Sequence, residues 1–227
     1  MASGLRPERQ PGNPGASGFD EWLSAPNFFD LDPILSREGV AVPLKGESSI
    51  VTMDAAIEFI TRHAGGEKPF LAVVWFGSPH LPHQAADEDR AGYRDQAENL
   101  QHFYGEITGL DRAVGRLRCE LRKLEIHENT ILWYCSDNGG LGQVSVTGGR
   151  GRKGSVYEGG LRVPGILEWP ARVRSPRRTS VPASTSDIYP TLLELAGARA
   201  AMQPPLDGIS LVRLIEDTMA ARPRAIG

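Results

Sequence analysis

Three polar clusters in this sequence carry residue types that can do chemistry, and two of them follow apolar runs of strand length. Asp137 and Asn138 lie in Ser136-Asp137-Asn138-Gly139-Gly140, directly after the run at residues 130–135. A carboxylate beside a carboxamide offers two hard oxygen ligands, which suit Ca²⁺ or Mg²⁺ better than zinc. Asp-Asn-Gly is also a turn signature. His80 and His83 lie in Ser78-Pro79-His80-Leu81-Pro82-His83, directly after the run at residues 69–76. Pro82 between them prevents regular helical geometry; a pair of loop histidines is more often structural or solvated than a metal site, and hydrogen bonding to an anionic oxygen is the better functional role. Lys153 lies in Gly151-Arg152-Lys153-Gly154-Ser155. A phosphate-binding P-loop needs its lysine after the last glycine and a helix beyond, and here the lysine comes first. A Gly-rich basic loop can clamp an anion or simply be solvated, and composition alone leaves both open.

The remaining reactive types are quieter. Glu158 and Arg162 flank Gly159-Gly160 and are read as an ion pair that holds the loop. Cys119 falls on a helical pattern, in the core or partly exposed, and Cys135 inside a buried-type strand. Neither has a neighbouring histidine to activate it. His63 suits a helix C-terminus, and His102 and His127 have no supporting pattern.

The elements that must position these clusters read as an α/β chain. Apolar spacing predicts a helix over residues 52–63, capped by Thr52 or Ser49, and a long one over 98–124, bent near Gly105 or Gly109. The runs at 69–76, 130–135 and 163–169 read as strands, the first as a central parallel strand covered on both faces. Further helices are expected over 187–196, capped by Ser186, and over 210–219. Residues 31–47 are read as connections with at most a short strand, and packing as starting at Phe19–Leu23 and continuing through the aromatic stretch Asn27-Phe28-Phe29-Asp30. Alternation of strands and helices argues for a mainly parallel sheet flanked by helices.

Composition bounds the function. The 227 residues carry 25 basic and 28 acidic side chains, a formal charge of −3. That excludes a strong electrostatic claim on nucleic acid. No apolar run reaches the roughly 18 residues of a membrane span, and two cysteines make no disulfide framework. The first 18 residues are Gly- and Pro-rich, without the apolar region of a signal peptide.

Taken together and in order, the blocks resemble one family. Pro-Phe-Leu-Ala-Val-Val-Trp-Phe-Gly-Ser-Pro-His-Leu-Pro-His, Ser-Asp-Asn-Gly-Gly and Gly-Arg-Lys-Gly-Ser-Val-Tyr-Glu-Gly-Gly-Leu-Arg-Val-Pro resemble the type I, formylglycine-dependent sulfatases of the alkaline-phosphatase-like superfamily. Gly18-Phe19-Asp20-Glu21-Trp22, residues 184–197 and Leu206-Asp207-Gly208-Ile209-Ser210-Leu211 fit as well. The resemblance implies a partial alkaline-phosphatase-like fold and hydrolysis of sulfuric esters, as in arylsulfatases. It matches Asp137 and Asn138 to two ligands of a divalent metal, usually Ca²⁺. It matches His80 to the histidine that contacts the sulfate ester, and Lys153 to the lysine that binds the sulfate. His83 is kept as a supporting residue. The implied ligand is a sulfated small molecule or saccharide, with no nucleic-acid partner and no membrane span. Such enzymes are often exported or lysosomal.

The departures are equally specific. No Cys/Ser-x-Pro-x-Arg segment, the source of formylglycine, occurs here, and Ser175-Pro176-Arg177-Arg178 places its proline one position early. The two adjacent aspartates of the family's first metal pair and its Lys-x-His-x-Gly segment are missing too. The resemblance therefore implies a chain cut at both ends: a flexible lead at 1–18, the later part of the catalytic domain at 19–215, and the start of a C-terminal subdomain at 216–227. Such a chain alone is expected to be inactive. Two alternatives stand beside this reading: an inactive remnant that binds an anion or a partner, and a phosphoryl or phosphonate ester hydrolase of the same superfamily.

Overall fold

The computed structural model describes residues 13–25, 31–141 and 148–226. Most of the lead and the stretch Asn27-Phe28-Phe29-Asp30 lie outside the described residues. Backbone contacts divide the chain into two units, one ending at Glu125 and one beginning at Ile126.

The first unit opens with three short antiparallel strands, β1 (Leu23–Ser24), β2 (Ile34–Arg37) and β3 (Val40–Pro43), in that order. The β2–β3 pairing runs from Ile34 opposite Pro43 to Arg37 opposite Val40. The turn between them is Glu38-Gly39, with φ of 51° and 89°. Two successive positive φ angles make the primed turn whose twist matches a hairpin. This stretch was expected to be connections, because Pro33, Gly39 and Pro43 read as breakers. They are instead the boundaries and the turn of the hairpin.

Three helices follow: α1 (Ser48–His63), α2 (Asp87–Arg90) and α3 (Glu98–Lys123). The α1 cap is Glu47, not Thr52 or Ser49; its carboxylate accepts the backbone N–H of Ser49 at 3.0 Å and of Ile50 at 3.1 Å. Helix α3 is one continuous helix, as its periodicity predicts. It packs against α1 and α2. Val51, Met53 and Ile60 of α1 and Phe103, Ala113, Leu117 and Leu121 of α3 are buried. Gly105 serves this packing: a Cβ there would stand 2.7 Å from that of Ala85.

Residues 69–76 are extended but pair with no strand among the described residues. Their side chains alternate, as in any extended segment: Leu71, Val73 and Trp75 are exposed, Trp75 by 85%, while Ala72, Val74 and Phe76 are half-buried. The expected burial on both faces is not found: among the described residues the face of Leu71, Val73 and Trp75 has no layer packed over it.

The second unit pairs β4 (Leu132–Cys135) with β5 (Gly165–Glu168), antiparallel, with Cys135 opposite Gly165. All described strand pairs are thus antiparallel, and the parallel neighbours expected from the sequence are not among them. Helices α4 (Glu158–Leu161), α5 (Ile188–Ala196) and α6 (Val212–Ile215) complete the unit. Ahead of α5, Ser184 rather than Ser186 forms a capping box with Asp187. Asp187 is fully buried and accepts the backbone N–H of Ser184 and of Ile209, both at 2.8 Å. It also receives the Arg222 guanidinium at 2.7 and 2.8 Å. One carboxylate thereby joins three separate segments.

Candidate active site

In the second unit the candidate residues Asp137 and Asn138 lie just beyond the end of β4. Ser136 donates its backbone N–H to Pro164 O at 3.3 Å, which carries the β4–β5 pairing one step further. Asp137 is exposed and Asn138 half-buried. The Asn138 side-chain amide donates to the Asp137 carboxylate, so the two groups lie side by side.

Backbone hydrogen bonds tie the Gly-rich loop to this turn. Gly139 N–H donates to Gly160 O at 2.9 Å, Lys153 N–H to Gly140 O at 3.1 Å and Gly159 N–H to Arg150 O at 2.8 Å. The approach leaves no room for side chains. A Cβ on Gly139 would stand 2.0 Å from Gly159 O, and one on Gly160 2.1 Å from Ser155 O. Lys153 lies at the corner of a four-residue turn closed by Ser155 N–H to Arg152 O at 2.9 Å. Gly154, with φ of +83°, fills the third position, where a type II turn demands a positive φ. The Lys153 side chain is exposed. The loop is therefore a fixed frame rather than a solvated strand of glycines, and it holds Lys153 beside the Asp137-Asn138 turn. Glu158 and Arg162 are joined by Arg162 N–H to Glu158 O at 2.8 Å, not by the expected ion pair.

In the first unit, His80 follows the extended run in a turn closed by its own N–H to Gly77 O at 3.0 Å. Its Nδ1 donates to Leu81 O at 2.7 Å. A carbonyl can only accept, so Nδ1 carries a proton, and Nε2 can donate to an anion only from the doubly protonated ring. The loop is fastened at both ends. Ser78 Oγ lies 3.1 Å from Ser48 Oγ at the start of α1. His83 Nδ1 lies 2.9 Å from Glu106 Oε2, and Gln84 N–H donates to Glu106 Oε1 at 2.7 Å. Both His83 and Glu106 side chains are buried, so His83 supports the loop from inside.

Glu47 and Glu106 were not singled out from sequence. Glu106 had a signal: a lone carboxylate inside Phe103-Tyr104-Gly105-Glu106-Ile107, on the face of α3 that the apolar spacing buries. Cys135 is exposed rather than buried, and partial burial plus the nearby Asp137 charge push its thiol up. Cys119 is exposed as well. A raised thiol is a poor nucleophile.

Among the described residues, no group of three or more His, Cys, Asp or Glu side chains converges as a metal site. Asp137 and Asn138 supply two hard oxygens, the right chemistry for Ca²⁺ or Mg²⁺ but less than half of a shell of six to eight.

The pattern that defines the family described as Sulfatase matches residues 6–198. The chain belongs to the sulfatase family. It is 28% identical over 221 residues to the uncharacterised sulfatase YdeN of Escherichia coli (strain K12), covering 95% of this chain and 39% of YdeN. It is 33% identical over 178 residues to human steryl-sulfatase, covering 73% of this chain and 29% of that enzyme. The crystal structure of Ps i-CgsB in complex with k-i-k-neocarrahexaose superposes with a TM-score of 0.84 at 27% identity, over 93% of this chain and 52% of that one. This sulfatase chain thus spans between about a third and a half of the length of such relatives. Its fold is a partial alkaline-phosphatase-like α/β fold.

Proposed function

We propose that the chain is part of the catalytic domain of a hydrolase of sulfuric esters, with His80 and Lys153 contacting the sulfate and Asp137 and Asn138 holding a divalent cation. The observation that supports it most is the backbone lock between the Asp137-Asn138 turn and the Lys153 loop. It brings the Asp137 and Asn138 oxygens and the backbone of Lys153 to one end of β4.

Sulfuryl transfer places charge on the sulfate oxygens and on the departing oxygen, and prearranged cations stabilise that charge without reorganisation. Lys153 would supply a positive donor whose backbone cannot drift. His80 would donate from Nε2 while Nδ1 stays on Leu81 O. A Ca²⁺ or Mg²⁺ held by Asp137 and Asn138 would neutralise sulfate oxygens as a Lewis acid. The sequence has no Cys/Ser-x-Pro-x-Arg segment, so formylglycine does not fit the residues present and no attack step is derived from them.

Calorimetric titration of the chain with 4-nitrophenyl sulfate in calcium buffer tests the proposal. Binding weakened about tenfold in both K153A and H80A is the expected result. Binding untouched by both substitutions would overturn the site assignment. Tighter binding of 4-nitrophenyl phosphate than of the sulfate would favour a phosphoryl hydrolase.

A further inference from the structure

We infer that Arg152 is a specificity-determining residue that takes a second anionic group beside the one at Lys153, so that the ligand is a saccharide carrying two or more anionic groups. The inference rests on the sulfate-binding reading of Lys153 and deepens it.

Between Asp137 and Glu158 the sequence contains no acidic residue, yet Arg150, Arg152 and Lys153 fall within four positions. All three are exposed. Among the described residues none of them pairs with a carboxylate. Elsewhere Arg62, Arg112, Arg116, Arg172, Arg177 and Arg222 each do. A basic segment with no internal counter-charge keeps its self-repulsion until an anion arrives, and it concentrates anions around it.

Geometry makes this more than a diffuse field. The Arg150 guanidinium lies over the Tyr157 ring, 3.9 Å from its centroid, and so is held to the loop. Arg152 supplies the carbonyl that closes the Lys153 turn, and the next residue's N–H is fixed to Gly140 O. Arg152 and Lys153 are therefore adjacent on one rigid frame, with α-carbons about 3.8 Å apart. A planar guanidinium engages sulfate or carboxylate with two parallel hydrogen bonds, which an ammonium cannot match. One residue of each kind side by side fits two anionic groups on one sugar. A single sulfate on a neutral alcohol would leave Arg152 unused.

Calorimetric titration of the chain with two probes tests this: glucosamine sulfated at both N2 and O6, and glucosamine sulfated at O6 only. In R152A the disulfated sugar should bind about tenfold more weakly, while the monosulfated sugar stays within about twofold of wild type. K153A should weaken both. Equal losses for both sugars in R152A, or no loss for either, would overturn the inference. If K153A binds both sugars as wild type does, the sulfate-binding reading of Lys153 fails, and the ratio of the two affinities in R152A still reports on Arg152 separately. If wild type binds neither sugar, both readings fall.

Discussion

Glu106 holds two donors at once, the Gln84 backbone N–H and His83 Nδ1. Truncation to alanine strands both in a buried place, and each stranded polar group costs about 1–3 kcal/mol. E106A is expected to lose about 3 kcal/mol of stability in urea unfolding, and E106Q, which keeps an acceptor for Gln84, less than half of that. Asp187 presents a sharper case. Burial alone would raise its carboxyl, but the Arg222 hydrogen bonds and the N–H groups of Ile209 and Ser184 outweigh it and hold the carboxyl below the usual range. A depressed carboxylate contributes stability that is fully present above its unfolded value, about 3.9, and is lost as pH falls through the lower folded value. R222A, which leaves Asp187 buried without its cation, should cost about 3 kcal/mol at neutral pH. It should also flatten the loss of stability between about pH 5 and pH 2. Thermal unfolding across that range measures both effects.

At the scale of elements, the sequence shows some features clearly and hides others. The bounds of α3 are nearly those its periodicity predicts, because twenty-six helical residues average out local noise. Strand β4 and the Asp137-Asn138 turn after it are equally plain. The hairpin of β2 and β3 was hidden because its turn residues look like breakers. Strand partners are not written locally at all, which is why the run at 69–76 could be recognised as extended but not placed in a ladder. The blocks that contain His80, Lys153, Asp137 and Asn138 were legible as the pattern of a family. The frame that holds Lys153 was not, because it consists of backbone groups that every residue shares. That frame carries its own prediction. G139A and G160A each drive a methyl group into a carbonyl oxygen. Each should cost about 2 kcal/mol and also weaken binding of 4-nitrophenyl sulfate, which calorimetry on the folded fraction would detect. A loss of stability with unchanged binding would show that Lys153 does not depend on the frame.

For the whole molecule, exposed apolar surface is the governing feature. Leu71, Val73 and Trp75 line one face of an unpaired extended segment, and Val156, Leu161 and Ile166 are open in the second unit, Val156 by 82%. An extended segment with free N–H and C=O groups and outward apolar side chains is a template for pairing with another chain. The chain alone is therefore expected to self-associate as concentration rises. The double variant V73K/W75K should remain monomeric at higher concentration, as light scattering would show, because charge on an edge blocks strand addition. Equal association of variant and wild type would place the sticky surface elsewhere.

The crowding around Gly139, Gly159 and Gly160 has an evolutionary consequence. These positions are fixed by volume, not by reactivity, since any larger residue meets backbone. A descendant that had lost every trace of turnover would still be obliged to keep them for as long as it folded. Their presence in a sequence therefore reports that the chain is selected to fold. The exposed side chains on the same frame, Lys153 and Arg152, meet no such limit, and on the reading proposed above they are where a change of ligand would be recorded.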